Sequence, residues 1–215
     1  MERKLIKQIC WVDGSLLSIV VIALCWFVLF SPWTRPWVNF WWVLSISSFL
    51  VSILAGHFYP QWTLDMDVDK KNFLLGFGLF AVLCGGCYGG SMYLMEQYPF
   101  LEEQFDRLHL LYDDSTYYFL AIFLLLLMGQ AEEIFWRGYI QRALSERLSP
   151  NAGYLITTLL YTLMYAWAFN WALTLGAFVL SLVWGGLCRY NPRWLSPVML
   201  SHMLLNVVFF ILFPL

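Results

Sequence analysis

The amino-acid sequence predicts an all-α fold: a polytopic membrane bundle of about seven transmembrane helices, with the N-terminus cytoplasmic. Three observations carry that prediction. The chain is 61% hydrophobic, 20% aromatic and only 12% charged, whereas soluble domains carry about a quarter charged residues. Its apolar residues fall into seven runs, each long enough to cross a hydrocarbon core of about 30 Å. Its basic residues gather in alternate connections between those runs.

The runs lie at about 14–31, 38–56, 73–94, 116–136, 152–169, 171–189 and 195–213. Arg3, Lys4 and Lys7 precede the first. That run is too long for a signal peptide and no small-x-small cleavage pattern follows it, so it reads as a retained helix. With the N-terminus inside, the cytoplasmic connections hold Arg3, Lys4, Lys7, Lys70, Lys71, Arg137, Arg142, Arg147, Arg189 and Arg193, leaving only Arg35 and Arg107 outside. The external stretch 95–115 spaces Phe100, Leu101, Phe105, Leu108 and Leu111 as a helix does, with Glu102, Glu103, Asp106 and Asp114 between them. It reads as a short helix on the membrane surface. Residues 1–215 read as a single transmembrane domain in a multi-pass integral membrane protein. The composition gives no sign of nucleic-acid binding.

The fourth run ends in Glu132-Glu133-Ile-Phe-Trp-Arg137. Glu132 lies about 22 Å in from the outer end of its helix, below the lipid surface. A carboxylate there costs several kcal/mol unless it is paired or wet. Glu133 and Arg137 are four apart and share a helix face, so they form an ion pair. Glu132 points about 100° away and is left free to act as a general base. In the last run, Ser201-His-Met-Leu-Leu-Asn206 puts His202 and Asn206 on one face, level with Glu132. Glu132, His202 and Asn206 are therefore expected to converge on a cavity open toward the cytoplasm. One His with one or two Glu is a thin ligand set for zinc, and no HExxH is present.

The pattern Glu132-Glu133-x-x-x-Arg137-Gly138, with His202-x-x-x-Asn206 after it, resembles the glutamate-dependent intramembrane proteases of the CAAX-protease and bacteriocin-processing (CPBP or ABI) family. The likeness covers about 116–213. It includes a small-residue helix, Gly176 to Gly186, whose Gly185 and Gly186 allow close helix approach. The resemblance implies an endopeptidase without a cofactor, acting on a membrane-associated peptide or protein in the lipid bilayer, with a bacterial plasma membrane as the expected location. It implies that Glu132 activates water, that Glu133 and Arg137 hold the helix end, and that His202 and Asn206 stabilise the oxyanion. The family's second motif is an aromatic residue followed four residues later by His. Here Tyr161 and Tyr165 stand in those positions; a second alignment uses Tyr165 and Phe169, with Asn170 nearby. A phenol with a pKa of about 10 is a poor base, but it can hold a water. The alternatives are a degraded family member acting as a binding or bacteriocin-immunity protein, and a transporter with Glu132 as its proton site.

Other features read as structural. Cys84-Gly-Gly-Cys87 sits among Gly85, Gly86, Gly89 and Gly90, whose GxxxG spacing suits helix packing. Asp65, Asp67 and Asp69 lack the Gly and Glu of a calcium loop and read as solvated charge. Trp33, Trp37, Trp41 and Trp42 form an interfacial belt. Cysteine labelling at sites introduced beside Lys70 and Arg193 is expected to place both in the cytoplasm. External labelling at both overturns the orientation.

Overall fold

The computed structural model describes residues 2–109 and 118–209, with side chains omitted at 2–13, 107–109 and 118–121. Among the described residues there are nine α-helices and no strand. They are α1 (Glu2–Phe30), α2 (Phe40–Phe58), α3 (Lys70–Gln97), α4 (Phe100–His109), α5 (Tyr118–Glu133), α6 (Gln141–Arg147), α7 (Pro150–Tyr165), α8 (Trp171–Tyr190) and α9 (Leu195–Val207). The expected ends of the fourth and seventh runs at 116–117 and 210–213, and Leu111 and Asp114 of the external stretch, lie outside the described residues. Of the described helices, α2, α3 and α8 are long and apolar enough to cross a membrane, and Gly14–Phe30 of α1 is a shorter apolar stretch. Large apolar side chains such as Leu24, Phe49, Phe77 and Leu159 point outward, as lipid solvation requires. The protein is an integral membrane protein.

Local chemistry fixes most helix starts. Asn39 accepts from Trp42 N to begin α2, and Asp69 accepts from Asn72 N to begin α3. Ser149, followed by Pro150, begins α7, and Asn170 begins α8. Each supplies an oxygen to an otherwise unpaired amide. α7 ends in a short 3-10 turn and at Phe169, whose φ of 50° stops the helix. The expected fifth span is therefore shorter than 152–169.

α5 is central, with α2 on one side and α9 on the other; α3 packs outside α9. α7 pairs with α8 and with α6, and α4 lies against α8 and α3. The core runs through Trp26, Leu44, Phe135, Trp136, Tyr139, Tyr161 and Met199.

Close helix approach occurs at glycines other than those expected in α3. A Cβ on Gly85, Gly86, Gly89 or Gly90 would meet nothing within 4 Å. The real contacts are at Gly76 against Pro197 and Leu200, and at Gly153, where a Cβ would lie 2.6 Å from Ser145 N. Gly185 meets Gln141 and Tyr154, while Gly186 makes only ordinary contact. The aspartates are also less free than expected. Asp69 caps α3, and Asp65 pairs with Arg142 at 3.1 Å. Beside that pair, Tyr59 donates to Glu146. Burial, reinforced by Glu146, pushes the Tyr59 phenol up to about 12, so it stays a donor.

Gly153→Ala is expected to destabilise the bundle by about 1–3 kcal/mol, because backbone rather than a flexible side chain blocks the new methyl. Gly85→Ala is expected to be neutral or to raise the melting midpoint, since alanine favours the helix. Thermal unfolding in detergent compares the two.

Candidate functional site

α5 is a largely apolar helix that reaches Glu132 and Glu133 just after Gln130, and the chain then widens into a π-helix at Ile134–Ile140, all seven residues of it buried. Single π turns recur at functional sites because they re-aim side chains. Glu132 and Glu133 are both 0% exposed and Arg137 is 2% exposed. Arg137 Nη1 donates to Glu133 Oε1 at 2.8 Å. The same oxygen lies 2.7 Å from His202 Nδ1. Arg137 Nη2 donates to Ser181 Oγ at 3.0 Å, and its guanidinium lies 4.5 Å from the centre of the Tyr161 ring.

Glu132 looks the other way. Its two carboxylate oxygens accept from Tyr165 OH at 3.1 and 2.9 Å. The Tyr165 ring is held among Trp26, Phe30 and Tyr161, and Tyr161 OH donates a long bond, 3.5 Å, to Tyr165 OH. Of the two candidates for the second-motif position, Tyr165 and Phe169, it is Tyr165 that touches Glu132. Phe169 is 59% exposed. Asn170 caps α8 and donates to Gln104 O at 2.6 Å, tying α8 to α4.

The structure brings together five of the six expected residues, but in two groups: Glu132 with Tyr165, and Glu133 with Arg137 and His202. His202, expected level with Glu132, hydrogen-bonds to Glu133. Asn206 donates to Leu125 O at 3.4 Å, seven residues and about 10 Å along the axis from Glu132. α9 comes this close to α5 because Gly129 has no side chain; a Cβ there would lie 3.1 Å from Met203 Cα.

Tyr161, Tyr165, His202 and Asn206 border one cavity of about 660 Å³, whose remaining wall is largely apolar and includes Gly86 and Gly90 of α3. Glu132 is not among the bordering residues and meets the cavity through the Tyr165 phenol. Among the described residues, the wall of this cavity is not drawn from the basic end, toward which the opening was expected. The wall is drawn from the C-terminal half of α3, from α4 and from the first part of α8. The opposite end is closed by the turn Pro60–Asp65. There Trp62 rests on Gly138, Asp65 pairs with Arg142, and Ser196 Oγ accepts from Asp67 N. Among the described residues, no group of three His, Cys, Asp or Glu is placed to hold a metal ion.

Residues 114–208 match the family model described as type II CAAX prenyl endopeptidase Rce1-like. The matched segment is similar to that family over a little under half of the chain. That family is a protease family of the CAAX/CPBP type. No curated protein and no solved structure matches the chain. The matched segment begins just before α5 and ends just after α9, so it contains all six expected site residues; α1 to α4 lie outside it.

Sequence reasoning missed several partners. Ser181 holds Arg137, and Gln141 Nε2 donates to Gly185 O at 2.9 Å. Tyr139 OH reaches Ser15 and Ser18 of α1 at 3.3 and 3.4 Å. Trp184 stacks on His202. A lone serine inside the apolar run of α8 was the one visible signal for Ser181. Arg137→Met is expected to destabilise the bundle by about 3–5 kcal/mol, because it strands Glu133 without its guanidinium. Arg137→Lys keeps the charge but loses the planar fork that serves Glu133 and Ser181 together, and its melting midpoint in detergent is expected to fall between the two.

Proposed function

We propose that this protein is an intramembrane endopeptidase that hydrolyses a membrane-associated peptide or protein, with Glu132 as the general base on water. The observation that carries the reading is the fully buried Glu132 carboxylate held by a phenol from α7, beside a cavity bordered by His202 and Asn206. A buried carboxylate without a cation beside it is costly, and that cost is consistent with a working role. Membership of the matched segment in a protease family supports peptide hydrolysis as the reaction.

In this mechanism Glu132 takes a proton from the attacking water. The Tyr165 phenol is a poor base and donates to the carboxylate, so it orients the carboxylate or the water. The carbonyl of the scissile bond enters from the cavity, where His202 and Asn206 face the developing oxyanion. Glu133 orients His202 through Nδ1 and is itself charge-balanced by Arg137. The apolar remainder of the cavity suits a substrate segment drawn from the bilayer.

The same phenol favours a second reading. Water reaching Glu132 must share or displace the hydrogen bond from Tyr165, so a chain kept only for binding, or for immunity to a bacteriocin, would tolerate this arrangement. Single-turnover cleavage of a reporter peptide in liposomes separates the two. On the protease reading, wild type cleaves slowly, Glu132→Ala abolishes cleavage, and Tyr165→His gains about 10²- to 10⁴-fold by restoring an imidazole beside Glu132. Absence of cleavage by wild type, with biological effect intact in Glu132→Ala, supports the binding reading. Equal cleavage by Glu132→Ala and wild type rules out the glutamate mechanism.

A further inference from the structure

We infer that Trp184 is a positioning residue for His202, fixing the plane of the imidazole and with it the direction of Nε2; this rests on the protease reading above. A single hydrogen bond, Nδ1 to Glu133 Oε1 at 2.7 Å, leaves a ring free to turn about the line of that bond. The indole of Trp184 removes that freedom. Its ring lies against the imidazole with centroids 4.3 Å apart and planes within 23°, a stacked arrangement that covers one whole face of His202.

The indole is itself held in place. Trp184 Nε1 donates to Ser201 Oγ at 3.0 Å, and Ser201 Oγ donates to Val198 O at 2.9 Å. Ser201 is the residue before His202, so the indole is tied to the same turn of α9 whose side chain it orients. The Arg137 guanidinium lies 5.6 Å from the Trp184 ring centre, within cation–π range. Arg137 thus bears on His202 by two routes, through Glu133 and through Trp184. Trp184 is 0% exposed, so close packing opposes its reorientation.

With Nδ1 engaged and one face covered, Nε2 is the imidazole atom left for a ligand in the cavity that His202 borders. Trp184 acts on that atom only through the ring. Side-chain spacing could not reveal this, because α8 and α9 meet here through residues 18 apart in the chain.

The test combines kinetics with a readout that does not depend on cleavage. The chain has three histidines, His57, His109 and His202, so selective ¹³C labelling of histidine gives a spectrum in which His202 is assigned by its loss in His202→Ala. The indole ring current is expected to move the wild-type His202 ring resonance upfield, and Trp184→Leu to abolish that displacement. In single-turnover cleavage, Trp184→Leu is expected to lower the maximal rate about 10- to 100-fold, the scale of a reacting group misplaced by about 1 Å. Trp184→Phe keeps a stacking face and is expected to recover most of that loss. Trp184 borders the cavity and Ser201 does not, so Ser201→Ala isolates the positioning effect: a several-fold lower rate with half-saturation within twofold of wild type.

A wild-type His202 resonance that is not displaced, or that is unmoved in Trp184→Leu, overturns the inference. So do unchanged rates in both Trp184→Leu and Ser201→Ala when the resonance has moved. A wild type that cleaves nothing defeats the protease reading instead. The resonance then decides on its own whether Trp184 fixes His202.

Discussion

A carboxylate withdrawn from water is tolerated only with a partner of opposite charge or with donors for its lone pairs, and this bundle withdraws two, adjacent in the chain. The ion pair between Glu133 and Arg137 is the constraint on which the rest depends. It requires a guanidinium inside the bundle, and the guanidinium requires further acceptors and aromatic faces. Ser181 of α8, Tyr161 of α7 and Trp184 of α8 supply them. His202 of α9 completes the shell on the carboxylate side. Four helical segments are thereby drawn to one point, and the fold of the second half of the chain is largely the packing that lets them meet. Glu132 takes its hydrogen bonds from the neutral phenol of Tyr165, so its environment differs sharply from that of the neighbouring residue.

Much of this was legible in the sequence. The apolar runs gave the helices, and the i,i+4 spacing gave the Glu133–Arg137 pair, because both follow from periodicity within a single element. Only the resemblance to the family's second motif suggested that Tyr165 stands near Glu132. What could not be read was partnership across helices. His202 sits level with both glutamates, and its choice of Glu133 depends on the rotation of α5 and on how closely α9 approaches at Gly129. The glycines of α3 misled for the same reason. GxxxG spacing states that a face is small, not what lies against it. In this chain Gly86 and Gly90 border the cavity, while the close approaches fall at single glycines with no repeat to announce them.

The placement of the cavity follows from which end of the bundle is closed. At the end holding Asp65, Arg142 and Arg193, the turn Pro60–Asp65 seats Trp62 on Gly138 and ties itself down through Asp65, with Ser196 bonding the following strand of chain at Asp67. Gly138 belongs to the same motif as the acidic pair, so one short stretch both carries the charged groups and receives their cover. At the other end α3, α4 and α8 leave a largely apolar space with its polar edge at Tyr161, Tyr165, His202 and Asn206. An occupant gains by presenting one hydrogen-bonding group to that edge and hydrocarbon elsewhere.

The π segment Ile134–Ile140 acts as a phase shift in the middle of an otherwise regular rod. An α-helix turns about 100° per residue, so one extra residue per turn uncouples the angular position of everything before it from everything after it. Glu132 and Glu133 can face α7 and α9 while Gln141 faces α8, an arrangement that a regular helix of the same length would rotate out of register. The stretch is therefore more sensitive to a change of length than of composition: a substitution alters one contact, whereas a single-residue deletion would swing α6 and its attachments around the axis and leave the acidic pair where it is.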